Sequence, residues 1–208
     1  MSRIYTTNFQ STENPISEGG NWTSGRAHGL DWADVLTTSG LARGCAAPAG
    51  CAGLVPYDDP TAILTGDWGP DQEVRAKVYS VNQTESYYQE VEIRLRSTLR
   101  AHICTGYEIF FRCLKTPNAY LNIVRWEGPL AKFTYIWQHQ GTEYGVADGD
   151  VVRATVLGNR ISAYINDRLM ATVEDNTYLT GSPGMGFNYG CGDTYGDFGF
   201  TSFTAMEL

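Results

Sequence analysis

The sequence predicts an all-β domain, a sandwich of two antiparallel sheets. Three observations carry that expectation. Short apolar runs alternate with polar residues along most of the chain, the period of a half-buried strand. Turn-forming Gly, Pro, Asn and Asp recur roughly every ten residues between those runs. The composition, 23 Gly, 13 Tyr and 5 Trp beside 18% charged residues, suits strands and tight turns better than helices. No linker divides the 208 residues, which read as one domain, 1–208.

In chain order, residues 4–9 read as an edge strand. Glu18-Gly19-Gly20-Asn21-Trp22 is a tight turn that delivers an aromatic to the core. Residues 26–60, rich in Gly, Ala, Pro and Asp, read as one long irregular loop. Strands follow at 62–64, 73–81 and 85–97, the last with Val91, Ile93 and Leu95 alternating with Glu90, Glu92, Arg94 and Arg96. The centre is a meander of runs 107–113, 120–126 and 133–139 joined by short turns. Tyr107, Ile109, Phe111 and Cys113 share one face, and Glu108, Phe110 and Arg112 the other. Tyr120, Asn122, Val124 and Trp126 likewise oppose Leu121, Ile123 and Arg125, and Trp126 and Trp137 read as core. Beyond it, strands at 151–157, 160–165 and 168–174 are separated by Gly158-Asn159 and Asn166-Asp167, both hairpin turn pairs. Strands at 185–189 and 198–207 end the chain.

The net charge of −8 disfavours nucleic acid as a partner, since a polyanion binder needs a basic stripe. No apolar run is long enough for a membrane span, and MSRIYTTNFQ lacks the apolar centre of a secretion signal. Of five cysteines, Cys45 and Cys51 bracket a short loop that a disulfide would close, stabilising by about 2–2.5 kcal/mol. An odd count leaves at least one thiol outside such a pairing.

Residues 156–189 carry a family resemblance. Ile161, Tyr164, Asn166, Val173 and Asp175, then Gly181, Pro183, Gly184 and Gly186, resemble the "I-x-x-Y-x-N-G…V-x-D" unit and following "G-x-P-G-x-G" of concanavalin A-like lectin/glucanase (LamG-like) jelly rolls. Asp167 stands where that family has Gly, and Asp tolerates the same turn. The entry segment from Phe9 to Trp22 and the central meander look like the family's too, so the resemblance spans nearly the whole chain. It implies a concanavalin A-like jelly-roll sandwich with one concave sheet whose outward face forms a ligand groove. The fold alone does not choose an activity.

The groove's candidate residues are the polar partners of the core alternation. They are Glu90, Glu92, Arg94 and Arg96 on one strand, Glu108 and Arg112 on the next and Arg125 on a third. Acids and arginines on paired strands hold sugar hydroxyls by bidentate hydrogen bonds. The competing reading is a solvated face with cross-strand ion pairs worth a few tenths to about 1 kcal/mol each. Trp32 and Trp68, in loops beside Asp31, Asp34, Asp67 and Asp71, are candidate stacking platforms. Glu90 and Glu92 point the same way with Cα atoms roughly 6.5–7 Å apart. They resemble the Glu-x-Asp-x-x-Glu strand of laminarinase-type hydrolases, but the final acid's position is Leu95, so catalysis is not favoured. A lyase would draw on His102, His139, Tyr135, Gln138 and Arg112, without the Gln-x-His triplet of lyase relatives. No cofactor is required; the resemblance admits Ca2+, with Asp175 and Asp197 as weak ligand candidates that lack a calcium-loop spacing.

Three functions fit these residues. The first is a non-catalytic, lectin-like carbohydrate-binding module with a glycan or polysaccharide as partner. The second is a structural or assembly protein, a surface, virion-decoration or filament subunit. The third is a glycoside hydrolase or polysaccharide lyase. An extracellular, cell-surface or virion-surface location suits them better than the cytoplasm.

Overall fold

The computed structural model describes residues 2–44, 59–86, 88–188 and 196–208. The Cys45–Cys51 pairing expected from sequence falls outside these residues. Two antiparallel sheets hold fifteen described strands, with two short 3-10 turns the sole helical segments among the described residues. The eight-stranded sheet runs β13 (Arg168–Glu174), β12 (Arg160–Ile165), β11 (Val151–Leu157), β6 (Gln72–Ser80), β15 (Phe198–Glu207), β4 (Leu41–Gly44) and β3 (Val35–Thr38). To it β1 (Ile4–Thr7) adds by pairing with the far half of β15. The seven-stranded sheet runs β10 (Phe133–Gln140), β9 (Tyr120–Gly128), β8 (Ile103–Arg112), β7 (Glu90–Arg100), β14 (Ser182–Asn188), β5 (Thr61–Leu64) and β2 (Trp22–Ser24).

The main core lies between the sheets and is built by the expected alternation. Val91, Ile93, Leu95, Tyr107, Ile109, Phe111, Leu121 and Ile123 meet Val74, Ala76, Val152, Ala154, Ile161 and Ala163. Burying each large side chain contributes about 1.5–3 kcal/mol. Phe200 and Phe203 both reach this core, although odd spacing should send them to opposite faces. A register shift between Phe200 and Ser202 absorbs the extra residue.

Three expectations need correcting. The stretch 26–60 is not one loop, because Val35–Thr38 and Leu41–Gly44 form a hairpin around Gly40, which takes a φ of +86°. Arg96 does not continue the row of Glu90, Glu92 and Arg94. A register shift between Leu95 and Thr98 turns it aside, and Arg96 itself sits at a φ of +48°. Its guanidinium instead donates to the carbonyls of Pro70 (2.7 Å), Tyr178 (2.9 Å) and Gly158 (2.7 Å), tying three loops at one end of the sandwich. Trp126 is buried as expected, but on the outer side of its sheet, away from the main core.

Candidate functional site

The outer face of the seven-stranded sheet is itself largely buried. Cross-strand pairing sets side chains in rows, because directly paired residues point the same way. One row reads Asn188, Glu90, Arg112; the next Gly186, Glu92, Phe110, Asn122, Gln138; the next Gly184, Arg94, Glu108, Val124, Tyr135. A second apolar cluster of Leu30, Trp32, Ile63, Leu99, Cys104, Phe110, Val124 and Trp126 covers one end of these rows.

Beside that cluster lies a cavity of about 520 Å3. Its acids are Asp59, Glu90, Glu92 and Glu108, and its amides Asn122 and Asn188. Tyr88, Phe110, Tyr120, Trp126, Phe133 and Tyr135 supply the aromatic surface. Tyr88 and Tyr135 are about half exposed, at 54% and 49%, whereas Glu92 is 1% exposed, so the acids lie deep and the tyrosines stand outermost. The volume falls within the roughly 300–1,000 Å3 of small-ligand sites. A second depression of about 500 Å3 shares Tyr120 and Asn122 and continues over Gln138, His139 and Gln140.

Beneath the acids is a layer of charge. Arg94, fully buried, bridges Glu92 (3.0 Å) and Glu108 (2.5 Å). Trp126 Nε1 donates to Glu108 at 2.8 Å, and the rings of Trp32 and Trp126 lie 5.1 and 5.8 Å from the Arg94 guanidinium. Glu90 accepts from the Tyr120 hydroxyl and from Asn188 Nδ2 (2.6 Å). Gly186 makes the layer fit, since a Cβ there would stand 2.2 Å from Glu92 Oε2.

Burial raises all three glutamates above the ordinary carboxylate range. Glu90 is pushed up to about 7 by desolvation, against the hydrogen bonds from Tyr120 and Asn188. Glu92 goes well above its usual value through burial and then the neighbouring Glu108 and Asp59. Glu108 is raised by burial against the pull of Arg94, and it shares a hydrogen bond with Glu92. The two carboxyls flank one guanidinium, that of Arg94, and burial outweighs its pull on both.

Of the residues predicted from sequence, Glu90, Glu92 and Glu108 come together in the cavity wall. Arg94 and Arg112 lie on the same face but do not line it. Arg112 donates to the carbonyls of Asn118 (2.9 Å) and Glu85 (3.0 Å), with its guanidinium over Tyr88 and Tyr120. Arg125 is on the other face, paired with Asp175 at 2.6 Å and Glu127 at 3.0 Å. Neither tryptophan is an open platform. Trp32 is 1% exposed within the outer-face cluster, its ring centroid 4.3 Å from that of Trp126. Trp68 packs on the main core under the Arg3 guanidinium, 4.3 Å away. An indole near the chain's apolar surface gains more from burial than a loop position suggests.

The charges at 90–94 and 108–112 are therefore not a solvated face. Tyr135, named from sequence only as part of a lyase set, lines the cavity. The residues that sequence reading missed, Asp59, Tyr88, Tyr120, Asn122, Phe133 and Asn188, include several whose signal was present. Tyr120 and Asn122 share the alternation of their strand, and pairing with β8 sets that row beside the acids.

Among the described residues, no group of three or more His, Cys, Asp or Glu side chains is placed to hold a metal ion. Asp175 is committed to Tyr107 (2.6 Å), Arg125 and the Thr177 amide (2.8 Å). Asp197 meets Asn82 at 3.5 Å. These donors do not make the oxygen cage that calcium needs.

No protein-family model matches the chain, and no curated protein matches its sequence. Solved structures match its shape. The VIP36 exoplasmic/lumenal domain, in a Ca2+/Man-bound form, is 13% identical with a TM-score of 0.59, covering 98% of this chain and 92% of that one. The carbohydrate-binding module CBM66 from Bacillus subtilis is 14% identical with a TM-score of 0.54, covering 90% and 92%. The β-porphyranase BpGH16B from Bacteroides plebeius is 10% identical with a TM-score of 0.53, covering 99% and 92%. With two antiparallel sheets, an outer-face cavity and these likenesses together, the fold of this chain is the concanavalin A-like jelly roll.

Proposed function

We propose that this chain is a lectin-like carbohydrate-binding module whose ligand occupies the cavity between the acids of β7 and β8 and the aromatics of β9 and β10. The observation that carries the reading is the cavity wall itself. Flat aromatic rings stack on the C–H faces of sugars, while carboxylates and amides accept and donate to hydroxyls. A buried Glu–Arg–Glu layer is costly compared with an apolar one of the same shape, so its presence under a cavity points to use rather than to stability. Carbohydrate-binding and Man-bound proteins among the structural neighbours support the reading at the level of fold. The second depression gives a bound chain room to extend past one sugar unit.

A glycan array followed by calorimetry on the hits tests the proposal. Binding that is lost in Tyr135→Ala, an exposed wall residue, and weakened in Glu90→Gln supports it. No binding to any glycan, with the protein folded by circular dichroism, overturns it.

Glycoside hydrolysis is the second reading, favoured by Glu90. A carboxyl raised to about 7 is in the range of a general acid, and Glu92 stands two residues along on the same face. Glu92 is engaged with Arg94 and Glu108, which does not suit a free nucleophile. Turnover of a polysaccharide panel that disappears in Glu90→Gln would favour hydrolysis; binding without turnover favours the module.

A further inference from the structure

We infer that the cavity selects sugars bearing a free, protonated amine, such as a de-N-acetylated hexosamine, seating the ammonium against the acids and within the aromatic rings. This rests on the sugar-binding reading and narrows its ligand.

The argument is one of charge and of surface. Four carboxyls, those of Asp59, Glu90, Glu92 and Glu108, line the cavity, and no Lys, Arg or His is among its described lining residues. The two cations beneath are already engaged. Arg94 lies between Glu92 and Glu108, and Arg112 holds two backbone carbonyls and stacks on two tyrosines. With every acid ionised the site would carry an excess of negative charge in a poorly hydrated place, which the protein relieves by retaining protons. An anionic sugar, a uronate or a sulfate ester, would add negative charge to a site whose four carboxyls face two guanidiniums, neither of which lines the cavity. A neutral sugar would leave the charge excess as it is. An ammonium supplies the missing charge, and Tyr120, Trp126 and Phe133 put aromatic rings, whose faces attract cations, in the cavity wall.

Proton linkage follows. Glu90 is faced by Tyr120 from β9, Arg112 and Glu108 from β8, Asn188 from β14 and Glu92 on its own strand. An incoming ammonium stabilises the ionised carboxyl and therefore expels a proton to the buffer. Affinity for an amino sugar should fall on the acid side as Glu90 takes up its proton, and fall again on the alkaline side as the sugar amine loses its own. A neutral sugar shows neither limb.

The experiment titrates the full chain by calorimetry with three β-1,4-linked hexasaccharides: glucosamine, N-acetylglucosamine and glucose. Trilysine serves as a non-sugar amine, and buffers of different ionisation enthalpy count the protons released. The expected result is that the glucosamine oligomer binds about tenfold or more tighter than either neutral oligomer near neutral pH, with a bell-shaped pH profile, net proton release on its acid limb and net proton uptake on its alkaline limb. Glu90→Gln should abolish that preference and the proton release on the acid limb. Equal affinity for all three oligomers overturns the amine claim and leaves sugar binding standing. Tighter binding of trilysine than of the glucosamine oligomer also overturns it. No binding of any oligomer, with the protein folded, overturns the amine claim, while the sugar-binding reading stands or falls by the glycan array.

Discussion

Replacing Glu90 by Gln should change how stability depends on pH. Burial lifts the carboxyl from 4.5 to about 7 in the folded chain, and it is fully buried. Below about 4.5 the group is protonated in both folded and unfolded chains, and well above 7 it is ionised in both. Between those values the folded protein keeps a proton that the unfolded chain has released. The stability from this group is thus full on the acid side and is lost as pH rises through the window, by about 3 kcal/mol for a shift of this size.

Gln keeps an acceptor for Tyr120 and has no proton to lose, and a half-turn of the Asn188 amide restores the second hydrogen bond. Urea denaturation at a series of pH values from about 5 to about 8 measures the difference between the two proteins, which cancels groups common to both. The variant should gain on the wild type by up to about 3 kcal/mol across that range. A difference that stays constant within about 0.5 kcal/mol would mean that Glu90 titrates as in open water, and the account of the buried acid layer would fail.

Other perturbations have defined outcomes. Gly186→Ala puts a methyl 2.2 Å from Glu92 Oε2 and 3.0 Å from Arg94 Nε, and should cost about 1–3 kcal/mol and disturb the cavity. Gly184→Ala should cost more, because its methyl meets the Ala62 carbonyl at 2.4 Å and backbone yields less; chemical denaturation of the pair ranks them. Arg96→Ala strands the carbonyls of Pro70, Tyr178 and Gly158 and should lower stability by at least about 3 kcal/mol, with little change in ligand affinity. Trp126→Phe removes the donor to Glu108, so Glu108 should be raised further above the ordinary carboxylate range, which its carboxyl chemical shift would report.

The legible part of the fold was where local chemistry decides. Residues 151–174 fold as expected because Gly158 and then Asn166 and Asp167 take the positive φ that tight hairpins require. The hairpin at 35–44 was not legible, since its strands are four residues long and set in a Gly- and Ala-rich stretch. Alternation put Glu90, Glu92 and Glu108 on one face, but it cannot register a bulge, so Arg96 was misplaced. Nor can it tell which face of a sheet is covered by a distant segment. Trp32 and Leu30 bury part of the outer face, and that contact is tertiary. Period two therefore grouped three of the four cavity acids and not the aromatic wall around them.

The placement of β15 governs how this chain must fold. The strand comes last in sequence yet runs through the interior of its sheet, against β6 along its length, β4 near its start and β1 near its end. Until it arrives, three partner strands offer unpaired edges and the phenylalanines at 198, 200 and 203 are missing from the centre. Assembly therefore waits on contacts between distant parts of the chain, the slow class of transition for β proteins. A chain in which β15 has not yet docked carries these open edges together with an incompletely filled core, the kind of species that aggregates.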